Sequence, residues 1–430
     1  MIPQFTYPAD RLAIITRLSR AQEADAAAQQ VVQEIIAAIR LEGDAAVLRY
    51  TARFDSVILT PETMRVTQEE IDQAYAQTDP ALLDTLRRSA ANIRAFHEKQ
   101  LERSWMDVQP GRTVGQMVRP LARVGVYVPG GRAAYPSSVL MNVLPAQVAG
   151  VPEIIMVTPP DRDGNVYPLT LVAAREAGCT AVYKVGGAQA VAALAFGTAT
   201  IPRVDKITGP GNVYVAQAKR AVFGYVGIDM VAGPSEVLVV ADATANPAWV
   251  AADMLSQAEH DPLAAAVLVT DSAPLAQAVC QELETQTAQL SRSAIAAESL
   301  ENYGTVVVTN TLQDACALAN QIAPEHLELA VAEPFAWLPF IENAGAVFLG
   351  HWTPEPVGDY YAGPNHVLPT GGTARFSSPL GVYDFQKRTS LLYYQKEGLQ
   401  AAAMDVRTFA QAEGLTAHAA AVAQRMGETK

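Results

Sequence analysis

The chain has 430 residues, 50% hydrophobic and 17% charged, with a formal net charge of −13. The length exceeds one small core, the composition excludes a disordered chain, and the acidic balance argues against a nucleic-acid surface, which needs a basic stripe. Three widely spaced cysteines, Cys179, Cys280 and Cys316, offer no disulfide framework and point to a reducing compartment.

The start, "MIPQFTYPADRL", lacks the basic and apolar regions of a signal peptide, and no apolar run approaches the ~20 residues that span a bilayer. Residues 21–50 are rich in strong helix formers and predict a helix that closes before Gly43. Residues 67–103 predict further, polar helix. At Arg119 the texture changes. "RVGVYVPGG" predicts a short strand and a turn. "SSVLMNVLPAQVAG", "EIIMVTPP", "PLTLVAAREAG", "AVYKVGG", "AQAVAALAFG", "VDKITGPGN" and "VYVAQAKRAVFG" then alternate helix and strand. The alternation restarts with "SEVLVVAD" and "NPAWVAADMLSQAEH" and continues through "GAVFLG". Such alternation means parallel βαβ units. The expected fold class is α/β, with two incomplete Rossmann-like parallel-sheet modules and helical extensions at both ends. Residues 351–380 are rich in Pro and Gly with little periodicity, and a loop that long is usually functional or disordered.

Four stretches carry candidate chemistry. In "NPAWVAADMLSQAEHDP", Asn246 suits the N-cap, Pro247 the first helical position, and Pro262 the stop. Val250, Met254 and Gln257 fall on one face, and His260 continues the row. An apolar row ending in an amide and an imidazole is either a buried Gln–His hydrogen-bond pair or a metal site. In "APEHLELA", Glu325 and His326 stand before a predicted strand. They are two groups able to move protons near neutral pH, or else a solvated turn. The loop "HWTPEPVGDYYAGPNHVLPTGG" carries His351, Glu355, Asp359 and His366, any of which has a solvated alternative. His418 and Glu413 lie in an Ala-rich tail where a surface role is the simplest reading. His97, in "AFHEKQ", reads as an exposed helix histidine. The turns "YVPGG" (127–131), "VGGAQA" (185–190) and "TGPGN" (208–212) follow predicted strands, where open α/β sheets bind ligands. No G-x-G-x-x-G occurs in the chain, so a dinucleotide would be held another way.

Together these stretches resemble the histidinol dehydrogenase family. "RPLARVGVYVPGG", "YPSSVLMN", "KVGGAQAVAALAFGT", "KITGPGNVYVAQAKR", "GIDMVAGPSEVLVVAD", "SQAEHDP", "APEHLEL" and "GDYYAGPNHVLPTGG" run in family order over most of residues 119–372, and "GLTAH" adds the tail. The resemblance implies a zinc- and NAD-dependent oxidation of L-histidinol to L-histidine through the aldehyde, in the cytoplasm, with one zinc per subunit. Carried over by motif, Gln257, His260, Asp359 and His418 are the implied zinc ligands, and Glu325 and His326 the acid/base pair. Ser235 of "GPSE", Glu355, His366 and Glu413 match or adjoin substrate-holding positions, which the zinc ligands and His326 join. Tyr127, Gln189 and Asn212 match NAD contacts. The tail site implies a homodimer with shared active sites. No nucleic acid or membrane partner is implied.

The expected domains are residues 1–25 as an extension, 26–122 with 236–378 as the domain carrying much of the site, 123–235 with the Gly turns, and 379–430 as an exchanged tail. The chain departs from many relatives at Met156, where a cysteine is frequent, which favours catalysis without a thiol nucleophile. A zinc hydrolase with Glu325 activating water, and a metal- or nucleotide-binding regulatory protein, are the competing readings. The first leaves the three Gly turns unexplained, and the second the intact Glu325 and His326.

Overall fold

The computed structural model describes residues 2–18, 26–130 and 135–427. Gly131 of the first Gly turn, and part of both the N-terminal extension and the helix expected over 21–50, lie outside the described residues. The strands are β1 Gln4–Thr6, β2 Trp105–Gln109, β3 Arg112–Pro120, β4 Arg123–Tyr127, β5 Glu153–Val157, β6 Ala181–Tyr183 and β7 Lys206–Thr208. They continue with β8 Gly227–Ile228, β9 Glu236–Ala241, β10 Ala265–Thr270, β11 Thr305–Val308, β12 His326–Ala330, β13 Ala346–Leu349 and β14 Gln386–Tyr394.

The chain divides into two compact units, one of Met1–Gln100 with Leu121–Phe385, the other of Leu101–Pro120 with Gln386–Lys430. The first unit holds two parallel sheets, a six-stranded one ordered β1-β11-β10-β9-β12-β13 and a five-stranded one ordered β6-β5-β4-β7-β8. These are the two Rossmann-like modules that the helix–strand alternation predicts. Both faces of each sheet are covered, so the strands read as continuous apolar runs. Along β5, Ile154 and Met156 enter one core while Ile155 and Val157 enter another. Along β9, Val237 and Val239 face one core and Leu238 and Val240 the opposite one. The helix Ala26–Glu42 closes before Gly43 and buries Val32, Ile35, Ile36 and Ile39 in the core of the five-stranded sheet. Among the described residues no helix is long and apolar enough to cross a membrane.

The second unit corrects the sequence reading. The polar helix expected through residue 103 ends at Glu98, and residues 105–120 form a hairpin that β14 completes as the antiparallel sheet β14-β3-β2. The reason is physical: β2 is exposed along its whole length, so no buried face imposes an alternating pattern on it. Two helices, Lys396–Ala412 and Thr416–Arg425, follow β14. The strand β1 was also missed. Three residues between prolines carry no period, and it forms by adding to the edge of β11.

Candidate functional site

Parallel topology brings the candidate residues to one edge. The helix Pro247–Ala258 leaves the carboxyl end of β9 and runs back to feed β10, so its last turn returns to the amino edge of the six-stranded sheet. β12 lies beside β9 and begins at that same edge with His326 paired to Val237. Asn246 caps the helix as expected, its side chain accepting from the Ala248 amide at 2.9 Å, with Pro247 next. The edge is therefore opposite to the one where ligands usually bind in open α/β sheets.

Glu325 and His326 are buried, which removes the solvated-turn alternative. The Glu236 amide donates to Glu325 Oε2 at 2.9 Å. His326 Nδ1 lies 3.1 Å from the Glu236 carbonyl, a pure acceptor, so Nδ1 carries the proton and donates. Nε2 is then the basic nitrogen. It is buried, has no hydrogen-bond partner among the described residues, and lies 3.9 Å from both Glu355 Oε1 and Asp359 Oδ1. His366 Nδ1 stands 3.7 Å from Asp359 Oδ1, also without a hydrogen-bond partner. The Pro/Gly-rich loop is ordered here: Glu355 opens the short helix Glu355–Val357, and Asp359 sits in the wide turn Gly358–Ala362.

Burial sets the protonation of these groups. It pushes Glu325 well above the ordinary carboxyl value, with the charges of Glu236, Glu355 and Asp359 adding to it, against the Glu236 amide. Glu355 is pushed to about 7, first by burial and then by Asp359. The imidazoles move the other way. Burial lowers His326 and His366, and Asp359 opposes this in both. His326 is thus a neutral base facing carboxyl groups.

Gln257 is buried and its Oε1 has no hydrogen-bond partner among the described residues, while His260 sits exposed in the turn just past the helix. The buried Gln–His pair is therefore not made. Ser256, next to Gln257, places its Oγ 2.8 Å from Glu355 Oε2, and the charge of His260 acts on Glu355 and His366. Ser235 is half-buried one residue before Glu236. Donor atoms of His326, Glu355 and Asp359 all lie within 4.8 Å of one another, a grouping able to hold a cation. It shares only Asp359 with the ligand set implied by sequence. His418 and Glu413 belong to the second unit, where both are exposed.

The three Gly turns converge at the carboxyl edge of the five-stranded sheet. The Tyr127 hydroxyl accepts from the Gly187 amide at 3.1 Å, and burial pushes this phenol up to about 12. Gly209 has φ +113°, and a Cβ there would sit 2.0 Å from the Tyr127 carbonyl oxygen, so only glycine fits. Gln189 is buried, and neither side-chain polar atom has a hydrogen-bond partner among the described residues. Asn212 is exposed and its Oδ1 caps the helix Val213–Val222.

The buried ion pair Lys219–Asp229 clamps the third turn. Lys219 donates to the Gly209 carbonyl at 2.9 Å, and Asp229 Oδ2 accepts from the Gly209 amide at 2.8 Å. Removing one partner of a buried pair strands the other charge, so Lys219→Ala is expected to cost about 3–5 kcal/mol. Denaturant unfolding checks this, and Lys219→Met with Asp229→Leu should recover only part of the loss, because the Gly209 amide and carbonyl also lose their partners.

Several site residues escaped the sequence reading. Glu236 supplies both backbone contacts above, and its carboxylate accepts from the Gly371 amide. Glu328 shares a strand face with His326 two residues on, and an acid inside an all-buried parallel strand was the available signal. His97 is a correction. It is fully buried, its Nδ1 2.7 Å from the Ile93 carbonyl and its Nε2 3.4 Å from Asn365, beside His366. The helix Pro80–Glu98 packs its inner face on the core, and the one-turn spacing of His97 from buried Ile93 was the missed signal. Met156 is fully buried, and burial pushes the Cys179 and Cys316 thiols up to about 12 and about 11.

The family model described as histidinol dehydrogenase matches residues 18–426. A histidinol dehydrogenase of Heliobacterium mobile is 54% identical over 99% of this chain and 100% of its own. One of Aquifex aeolicus is 57% identical over 93% of each. The crystal structure of histidinol dehydrogenase from Elizabethkingia anophelis superposes with a TM-score of 0.94 at 38% identity, covering 99% of this chain and 98% of that one. With the family model, the curated relatives and the solved structure all matching over nearly the whole length, the chain belongs to the histidinol dehydrogenase family and is an oxidoreductase.

Proposed function

We propose that the chain oxidises L-histidinol to L-histidine through the aldehyde, the closing steps of histidine biosynthesis, as a zinc- and NAD-dependent cytoplasmic homodimer without a nucleic-acid or membrane partner. The observation that carries the reading is the His326 ring: its proton is committed to the Glu236 carbonyl, and its basic Nε2 is buried and unpartnered among carboxyl groups.

His326 takes the alcohol proton as oxidation begins and handles a gem-diol proton in the second oxidation. Glu325, a carboxyl whose raised pKa strengthens it as a base, activates the water that hydrates the aldehyde. Glu355, His366, Ser235 and Glu413 hold the substrate. The donor set fits zinc: Gln257 Oε1 is a buried acceptor with no hydrogen-bond partner among the described residues, and amide, imidazole and carboxylate groups are nitrogen and oxygen donors. Gln257, His260, Asp359 and the partner's tail, through its histidine at position 418, would hold the ion. Bound there, zinc would serve to orient the substrate, and NAD in its site would supply the hydride acceptor that no side chain provides. The fit for NAD is the convergence of three Gly turns on Tyr127, with Gln189 buried and unsatisfied beside them.

The second unit supports a dimer. Met106, Val108, Leu392, Met404 and Phe409 are each between 65% and 80% exposed, a cost that a second copy of the chain would remove. The domain division proposed is that of the sequence reading: residues 1–25, 26–122 with 236–378, 123–235, and 379–430.

Mixing protein, histidinol and NAD tests the reading. Near-ultraviolet absorbance should report two NADH per histidine formed. A chelator should abolish the signal and added zinc restore it. Turnover without NADH would leave the hydrolase reading instead.

A further inference from the structure

The short helix Glu355–Val357 lacks a local cap, because Pro354 in the N-cap position offers no side-chain acceptor. Its first amide is nevertheless paired. Glu328, from the middle of β12, accepts from the Glu355 amide through Oε1 at 2.9 Å, entirely within the interior. The charge of Asp253, on the helix Pro247–Ala258, acts on Glu328. From the same turn of that helix, Ser256 Oγ lies 2.8 Å from both the Asp253 carbonyl and Glu355 Oε2. The Glu355 backbone and carboxyl are thus fixed from two elements that also carry His326 and Gln257. We propose that Glu328 is a positioning residue that sets the Glu355 carboxyl for substrate.

The role needs an acceptor oxygen at position 328, not a negative charge. Glutamine keeps the acceptor for the Glu355 amide and turns its NH2 toward Asp253, whereas leucine fills the space and offers nothing. The inference rests on Glu355 holding histidinol, so the experiment separates the two. KM, kcat and calorimetric affinity for histidinol are measured on the zinc-loaded enzyme for Glu328→Gln, Glu328→Leu and Glu355→Gln, with thermal unfolding alongside.

Glu328→Gln should keep KM within about threefold, and Glu328→Leu should raise KM and the dissociation constant at least about tenfold with kcat little changed, the pattern of lost ground-state positioning. Equal impairment of both Glu328 variants, or a fall in kcat at unchanged KM, overturns the positioning role. An unchanged affinity in Glu355→Gln overturns instead the reading of Glu355. Should Glu328→Leu fail to fold, Glu328→Met, an unbranched side chain with no acceptor oxygen, must shift KM in the same direction.

Discussion

Replacing His326 by Asn is expected to lower kcat for histidinol oxidation by about 10²–10⁴-fold, the range for losing a positioned acid/base, with a much smaller change in KM. The asparagine amide can still donate toward the Glu236 carbonyl that now takes the Nδ1 proton, so the edge of β12 stays in register with β9. The loss falls on Nε2, which makes no hydrogen bond among the described residues. A purely structural histidine would give the opposite pattern, a drop in stability with kcat preserved.

The pH dependence gives this prediction a sign. Only neutral His326 can take a proton. Burial holds its pKa below the ordinary imidazole value of ~6.5, with Asp359 partly opposing, and a cation near Asp359 would push it the same way as burial. The rate should therefore persist below the pH at which a free imidazole protonates, then fall as acid titrates Nε2. In His326→Asn the residual rate should lose that acid limb. A variant that keeps the same limb would assign it to another group, Glu355 being the first alternative because its pKa is raised to about 7.

What the sequence could say followed the strength of its periodicity. Strands buried on both faces, such as β9 and β10, announce themselves as unbroken apolar runs, and the cap at Asn246 needs only local chemistry. The exposed hairpin β2–β3 and the edge strand β1 exist because of partners far along the chain, β14 at 386–394 and β11 at 305–308, and no local window contains them. The site divides in the same way. Glu325, His326, Glu355 and Asp359 were candidates with a solvated reading left open for each until motif resemblance assigned them roles, and the fold brings them together. Glu236 looked like an ordinary strand residue, and Glu328 was passed over although an acid in an all-buried strand is a signal. Their importance lies in one amide, one carbonyl and one carboxyl oxygen aimed across strands. His97 misled because a polar helix with one buried stripe looks, residue by residue, like an exposed one.

The second large effect concerns Gln257 and His418. Gln257→Ala removes a buried acceptor at the inner edge of the six-stranded sheet. His418→Ala removes an exposed imidazole from the helix Thr416–Arg425 of the other unit, where loss of a surface side chain should cost little stability. If both groups bind one zinc, each variant should lose at least about 10²-fold in kcat and most of its bound metal, since ligand loss removes both affinity and orientation. Their mixture then discriminates what neither can alone. With sites shared across a two-fold dimer, a hybrid of the two variants concentrates both lesions in one site and leaves the other site fully native. Random exchange makes half of the dimers hybrids, so activity should return to about a quarter of the native level, and zinc content with it. Were Gln257 and the histidine at 418 of the same chain to meet instead, every site in the mixture would keep one lesion, and nothing would return however long the subunits exchanged.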